Sequence, residues 1–187
     1  MRAGLVERLR ARGLDVLETR EPGGTALGER VRALFLDPGT TIDARADALL
    51  LNAARAQLVR DEIAPALAGG AWVVSDRFAD STLAYQGYGR GLDGDALRAL
   101  AAFATAGLEP EVVLLVDVPP EVSRARVRGR PGAEDRVERE DDAFHARVRE
   151  GYLMLARADA RIRVLDGTLA AGELLDAAWS QLAGLVP

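Results

Sequence analysis

Hydrophobic positions along the chain follow two different periods. Short apolar runs typical of β-strands lie at residues 15–19, 71–75, 112–117 and 162–165. The run at 112–117 is almost unbroken, which is typical of a strand covered on both faces in a parallel sheet. Between these runs the apolar residues recur at helical spacing. The alternation of strands and helices predicts an α/β protein with a parallel sheet flanked by helices.

The helical pattern predicts seven helices, at about 2–12, 25–36, 43–67, 93–106, 119–128, 142–158 and 170–185. On the longest of these we expect the inward face to carry Leu49, Leu50, Ala53, Ala54 and Leu58. Residues 129–140 read as a charged loop with Gly and Pro. Because no repeat, low-complexity segment or linker interrupts the pattern, residues 1–187 are predicted to form a single domain.

Composition narrows the possible classes of protein. The chain has 187 residues, 49% hydrophobic content, a net charge of −5 and a pI near 5.0, values that favour a packed globule and argue against nucleic acid as a partner. It has no cysteine, which excludes disulfides and fits a cytoplasmic protein. No apolar run approaches the roughly 20 residues of a membrane span. We expect the single histidine, His145, to lie on a helix surface rather than to act as a catalyst.

Chemically versatile side chains are concentrated just after the strand at 71–75. The segment carries a carboxylate, a guanidinium, two hydroxyls, a phenol and an amide, on Asp76, Arg77, Ser81, Thr82, Tyr85 and Gln86. Ligands bind at this end of strands in open α/β sheets. Asp76 is suited to Mg²⁺ and Arg77 to a phosphate. The alternative is an ordinary pair at a strand end, with Arg77 solvated, but the neighbouring polar groups favour a ligand site.

Other arginines have two possible roles each. Arg20 follows a strand and precedes Gly23 and Gly24, so it suits either a phosphate or a simple turn. Arg55 lies among small residues of the long helix and is suited to a ligand or to solvent. A third group is either a cationic lid over a polyphosphate or a solvated face, and its members are Arg124, Arg126, Arg128, Arg130 and, further on, Arg136.

Together, these motifs resemble the thymidylate kinase family. The resemblance covers nearly the whole chain and rests on several motifs in order, at 19–25, 53–57, 76–78, 81–91, 115–121, 135–138 and 144–152. It implies a P-loop NTPase-like nucleoside monophosphate kinase fold, Mg²⁺ with ATP as co-substrate, and a homodimer. It also implies that the chain makes dTDP from dTMP.

The resemblance further implies a role for each candidate residue. Arg20 and Arg77 would hold the dTMP phosphate, with Glu21 beside them. Arg55 would hydrogen-bond the thymine. The remaining acceptor-site residues would contact the nucleoside, and they are Leu51, Ser81, Thr82, Tyr85 and Gln86.

On the donor side, Asp76 would order Mg²⁺ and act in catalysis with Arg77. Residues 124–140 would form the lid. Its catalytic arginines would be Arg126, Arg128 and Arg130, and ATP would be bound by Arg124, Arg128 and Arg136.

Two features depart from the family pattern. Leu51 stands where the family usually has a Phe that stacks on thymine, so base selectivity is expected to be looser unless another ring substitutes. The chain also has no Gly-x-x-x-x-Gly-Lys-[Ser/Thr] loop, and the resemblance implies that about 20 residues, with a central strand, are absent before Met1. That strand would lie between those containing Val73 and Leu114.

Three functions remain open on these grounds. The chain is a thymidylate kinase whose given sequence lacks its N-terminal strand and P-loop; or it is a non-catalytic dTMP-binding or scaffold protein; or it is a kinase for another nucleotide.

Overall fold

A computed structural model describes residues 1–129 and 134–186. In chain order its elements are α1 (Arg2–Ala11), β1 (Val16–Thr19), α2 (Ala26–Leu36), α3 (Ala44–Leu58), the π-helical turn π1 (Val59–Ile63), α4 (Ala64–Ala68), β2 (Trp72–Ser75), α5 (Ala79–Thr82), the π-helix π2 (Leu83–Gly89), α6 (Gly94–Thr105), β3 (Val113–Asp117), α7 (Pro120–Arg128), α8 (Asp142–Ala158), β4 (Ile162–Asp166) and α9 (Ala171–Ser180).

The helix starts follow from local capping. Thr25, Asp43, Asp93 and Asp141 each precede a helix, and the side-chain oxygen of each accepts a backbone N–H of the first turn. These bonds satisfy amides that have no partner within the helix. They also fix where each long helix begins relative to the strand before it.

The strands form two parallel pairs. β1 pairs with β2 in a register that sets Val16 opposite Trp72. β3 pairs with β4, with Val113 opposite Ile162. The predicted α/β class is confirmed, since helices alternate with parallel strands.

Helices cover both pairs on both faces. Leu5 on α1 packs with Leu165 of β4, whereas Val6 and Leu9 pack with Val16 of β1, so α1 spans the two pairs on one face. α9 joins it there through Trp179. On the other face, α3 and π1 cover the first pair and α8 with π2 covers the second. The pairs are therefore two parts of one layered structure.

β2 and β3 are not hydrogen-bonded to each other. Every residue of these two strands is only half-buried, whereas Val16 of β1 and Leu165 of β4 are buried. The resemblance places a further strand between β2 and β3, and the described residues place none there. β2 is paired with β1 along one edge and β3 with β4 along one edge. The opposite edges of β2 and β3 have no strand partner among the described residues.

The phase of α3 corrects a prediction. Leu49 is 58% exposed and Ala53 is also exposed, although both were expected to face inward. Ala54 and Leu58 are buried as predicted, and the rest of the buried face carries Ala48 with the polar residues Asp47, Asn52 and Arg55. Hydrophobic periodicity misplaced Leu49 and Ala53 because these three polar residues are buried by contacts with other elements.

Two further differences concern helices. Residues 79–89 are helical, as α5 and π2, where the sequence indicated only a ligand-binding segment. The predicted final helix ends at Ser180 and is followed by turns. None of the described helices has the length and apolar character needed to cross a membrane.

Candidate functional site

The ends of β1 and β2 meet at one edge of the first strand pair. Because the strands are parallel and in register, Arg20 and Glu21 emerge beside Asp76 and Arg77. The Glu21 N–H donates to Asp76 Oδ1 at 2.9 Å, which ties the two strand ends together. The sequence-predicted residues from two distant segments therefore converge.

Arg55 of α3 is the centre of a buried polar network below these strand ends. Its Nε and Nη2 lie 2.9 and 2.8 Å from Glu21 Oε2. Its Nη1 donates to Asn52 Oδ1 at 2.9 Å and to Thr82 Oγ1 at 3.1 Å, and Nη2 donates to the Phe78 carbonyl at 3.2 Å. All of these partners are protein groups, so the fold itself holds Arg55 in place.

Burial affects the charges of this network. Arg55 is 3% exposed and Glu21 is 5% exposed. Burial raises the pKa of the Glu21 carboxyl, and the attraction of Arg55 opposes that shift. A buried pair of opposite charges with no net charge holds its geometry strongly but attracts an external anion only weakly. Arg55 is therefore better placed to orient a neutral ring than to bind a phosphate.

Two acceptor atoms in this region receive no hydrogen bond from the part of the chain that the structure describes. Glu21 Oε1 and Gln86 Oε1 are buried and accept no hydrogen bond within the described residues. Gln86 is 2% exposed and follows Thr82 by four residues on the same helical segment. An unsatisfied buried acceptor costs about 1–3 kcal/mol, so these atoms are suited to a donor from a bound molecule.

Arg77 differs from the other arginines of the site. It is exposed, and within the described residues it has no ion pair. Its Nη2 lies 3.3 Å from the Tyr85 hydroxyl and its Nη1 lies 3.5 Å from the Tyr152 hydroxyl, while its guanidinium carbon stands 5.0 Å from the Tyr85 ring centroid. Its positive charge is therefore available to an anion.

Unlike Arg77, Arg20 and Asp76 each form an ion pair with another side chain. Arg20 Nη2 lies 2.9 Å from Glu29 Oε2, with both side chains about half exposed. Asp76 Oδ2 lies 3.3 Å from Arg2 Nη1. A phosphate at Arg20 would therefore compete with Glu29, and a cation at Asp76 would compete with Arg2.

The helical segment 79–89 presents the remaining acceptor-site residues. Ser81 Oγ accepts a hydrogen bond from the Tyr152 hydroxyl at 2.8 Å. The Tyr85 ring makes edge contacts with Phe144 and Tyr152, each at 6.2 Å between centroids. Leu51 of α3 is half-buried.

In the basic segment after β3, the arginines of α7 are more exposed than Arg55 of the acceptor site. Arg124 on α7 is paired with Asp142. Arg126 and Arg128 are exposed and have no ion pair within 1–129 and 134–186. Arg130 lies outside the described residues. Within 1–129 and 134–186, none of Arg124, Arg126 and Arg128 makes a hydrogen bond or ion pair with an acceptor-site residue.

Arg136, expected in the lid, is half-buried and packs against α2 and α3. Its Nη2 lies 2.8 Å from Asp47 Oδ1 and its Nε donates to the Phe35 carbonyl at 2.8 Å. Arg90 completes the cluster, 3.6 Å from Asp47 and 2.6 Å from Glu140. These contacts hold Arg136 against α2 and α3, and its contact with ATP stays a prediction.

Sequence reasoning missed Asn52, Asp47 and Tyr152. The first two share the buried face of α3 with Arg55, at spacings of three and eight residues from it. Polar residues recurring on one face of a helix were an available signal. Tyr152 gave none, because a Tyr in an amphipathic helix usually packs in the core.

The chain is similar to known proteins of one family over nearly its whole length. Residues 1–177 match the family model described as thymidylate kinase. A thymidylate kinase of Carboxydothermus hydrogenoformans is 57% identical over 149 residues, which cover 80% of this chain and 72% of the relative. That of Deinococcus radiodurans is 49% identical over 95% of this chain and 86% of the relative. One from Synechococcus sp. is 48% identical, over 98% and 87%.

Proposed function

The chain belongs to the thymidylate kinase family, and we propose that it transfers the γ-phosphoryl group of ATP to dTMP, giving dTDP for dTTP synthesis. The observation that carries the acceptor assignment is the layered site at the ends of β1 and β2. Among the described residues, Arg77 at its rim has no ion pair, and two buried acceptors that lie deeper, Glu21 Oε1 and Gln86 Oε1, receive no hydrogen bond.

The chemistry of dTMP matches these layers. Its phosphate is an anion suited to the planar, paired donors of Arg77. Its thymine presents both an N–H donor and carbonyl acceptors. These suit a region where two buried acceptors receive no hydrogen bond from the described residues and Thr82 supplies a hydroxyl. Tyr85 supplies an apolar ring beside Arg77 for the sugar. Protein groups thereby position the acceptor, which is most of what phosphoryl transfer requires of them.

Mg²⁺ fits the site only as an ion held largely by nucleotide phosphates. Among the described residues there is no group of three or more His, Cys, Asp or Glu side chains that could hold a metal ion. Asp76 is a single carboxylate with one oxygen already bound to an amide. We propose that Asp76 contacts the hydrated ion, as enzymes of this chemistry use few protein ligands for Mg²⁺.

The donor side would be served by the basic segment at 124–140, with Arg124 and Arg128 near ATP and Arg126, Arg128 and Arg130 near the transferred group. Support comes from the two exposed arginines of α7, whose charges are not neutralised by ion pairs within the described residues. Cations that meet developing negative charge in a transition state can contribute about 10³–10⁵ in rate.

The test is ATP- and Mg²⁺-dependent formation of dTDP from dTMP by the chain joined before Met1 to the first strand and P-loop of a thymidylate kinase relative, because the given sequence has no such loop. The competing acceptors are dUMP, dCMP and dGMP. The proposal predicts turnover with a clear preference for dTMP. Binding of dTMP without turnover would instead support a non-catalytic dTMP-binding protein. Preference for another acceptor would replace dTMP in the assignment.

We also propose that the protein acts as a cytoplasmic homodimer. Exposed large apolar side chains occur on three helices that pack side by side, α2, α3 and α6, and they are Leu27, Leu34, Leu49 and Phe103. Phe103 is 86% exposed, which is unusual for a ring on a monomer surface. A second copy would bury this face.

Sedimentation should therefore give a dimer for the wild-type chain and a monomer for Phe103→Glu. Met154→Glu changes an exposed apolar residue of α8 and serves as the control that stays dimeric. A monomeric wild-type chain would remove this proposal.

A further inference from the structure

Tyr152 of α8 contacts Arg77 and has no assigned role in the site. Its hydroxyl donates to Ser81 Oγ at 2.8 Å, so the hydroxyl hydrogen is committed to Ser81. The lone pairs of the same oxygen then remain for Arg77 Nη1, at 3.5 Å. The three residues form a directed chain from guanidinium to phenol to serine.

The position of Tyr152 is fixed by close packing of α8 on π2. A Cβ added at Gly151 would lie 2.7 Å from the Cβ and Cγ of Tyr88. On the other side of the crossing, a Cβ at Gly89 would lie 2.8 Å from Phe144 and Val148. Both glycines therefore allow the helices to approach closely, which brings the hydroxyl of Tyr152 into contact with Ser81.

The partners of Arg77 differ in charge from those of its neighbours. Arg20 is paired with Glu29, and Arg55 is paired with Glu21. Arg77 instead contacts two phenols. Burial raises the pKa of Tyr152 to about 12, so this phenol stays neutral at physiological pH. A neutral partner orients a guanidinium without cancelling its charge.

The distances from Arg77 to the two phenol oxygens indicate that the phenols orient the guanidinium without binding it tightly. Contacts of 3.3 and 3.5 Å are long for hydrogen bonds to a guanidinium, whose usual range ends near 3.2 Å. The N–H groups of Arg77 can thus turn to an anion at little cost, while the rings of Tyr85 and Tyr152 limit where the guanidinium lies.

We propose that Tyr152 is a positioning residue for the acceptor phosphate: through its neutral hydroxyl, fixed by Ser81, it holds Arg77 in the orientation that binds the phosphate of the nucleotide. This inference rests on the proposed function, because it takes dTMP as the acceptor. It assigns Tyr152 to the phosphate and not to the nucleoside.

The test compares dTMP with thymidine, which differs only by lacking the phosphate. Tyr152→Phe keeps the ring and removes the hydroxyl. We expect calorimetric titration to show dTMP binding weakened about 5- to 10-fold, the size of one lost hydrogen bond, and thymidine binding unchanged. Ser81→Ala should weaken dTMP similarly, and the double variant should lose no more than either single variant.

Tyr88→Phe is the matched control, because Tyr88 is 41% exposed on π2 and its loss of a hydroxyl should affect neither ligand. Equal weakening of dTMP and thymidine by Tyr152→Phe would show a general structural role and overturn the inference, as would unchanged dTMP binding. Failure of the wild-type chain to bind dTMP would overturn the proposed function itself.

Discussion

The acceptor site and the basic helix α7 are both rich in arginine, but they are built in opposite ways. Around Arg55, polar groups from three separate segments of the chain are joined by four hydrogen-bonded contacts. On α7, Arg126 and Arg128 are exposed and have no ion pair among the described residues. The contrast indicates that the acceptor site is formed before ligands arrive, and it predicts that the cations of α7 are positioned only when a ligand binds.

The two arrangements differ in the free energy that they cost. A preformed buried network requires desolvation of Glu21 and Arg55, which folding must offset. Solvated arginines avoid that cost but lose side-chain entropy when they bind. Mutations should therefore affect stability and dTMP binding in the first region, and only turnover in the second.

The largest effect is expected from Glu21→Gln. This change leaves the buried guanidinium of Arg55 without its counter-charge, and loss of one partner of a buried pair costs about 3–5 kcal/mol. Chemical denaturation should show that loss in the free energy of unfolding. The control is Glu109→Gln, whose exposed pair with Arg161 should contribute less than about 1 kcal/mol. Similar small losses for both variants would contradict a preformed charged network.

The next largest effect should come from replacing both Arg126 and Arg128 by Ala. We expect kcat to fall by about 10³-fold, since these cations would meet the transferred phosphoryl group. The Kd for dTMP and the free energy of unfolding should stay unchanged. Weaker dTMP binding in this variant would place α7 in the acceptor site and remove the distinction between the two regions.

Arg77→Ala should have a smaller effect, and on dTMP binding first. Loss of a charged hydrogen-bonding partner of the phosphate costs about 2–3 kcal/mol, or about 30- to 150-fold in Kd. Thymidine binding should be unaffected. Arg98→Ala on the α6 surface is the control. If dTMP binds the Arg77→Ala variant as well as it binds the wild type, another group holds the phosphate.

The smallest effect is expected from Leu51→Phe. Leu51 stands where the family usually has a ring that stacks on thymine, and an aromatic contact contributes about 0.5–1.5 kcal/mol beyond its area. Titration should show thymidine and dTMP binding tightened about 2- to 10-fold. Leu49→Phe, at an exposed position of the same helix, should change neither. Unchanged binding in Leu51→Phe would mean that the base does not lie over this residue.

Sequence patterns predicted the strands to within about a residue, because each is an apolar run bounded by turn residues. The same patterns failed on α3, whose buried face contains Asp47, Asn52 and Arg55. The helical segment 79–89 was also missed, since its Ser, Thr and Gly residues obscure a helical period. Hydrophobicity locates a core, but it does not locate polar groups that are buried because they bind one another.

The sequence predicted which segments lie near one another in the site, but it did not predict which side chains are in contact. The parallel strands bring the segments that follow β1 and β2 side by side, with Glu21 bonded to Asp76, as their positions at strand ends suggested. The pairing of Arg55 with Glu21, and of Arg136 with Asp47, joins residues 34 and 89 positions apart. Such pairings depend on how whole helices pack, which no local spacing encodes.

The most direct test of the contrast is titration of dTMP, with and without a saturating non-hydrolysable ATP analogue, into the chain joined before Met1 to the first strand and P-loop of a relative. A preformed acceptor site predicts one dTMP per chain in both cases, with Kd values that agree within about threefold, since little coupling is needed. Binding of dTMP only after the ATP analogue has bound would contradict it, because the acceptor site would then be formed by the ligands rather than by the fold.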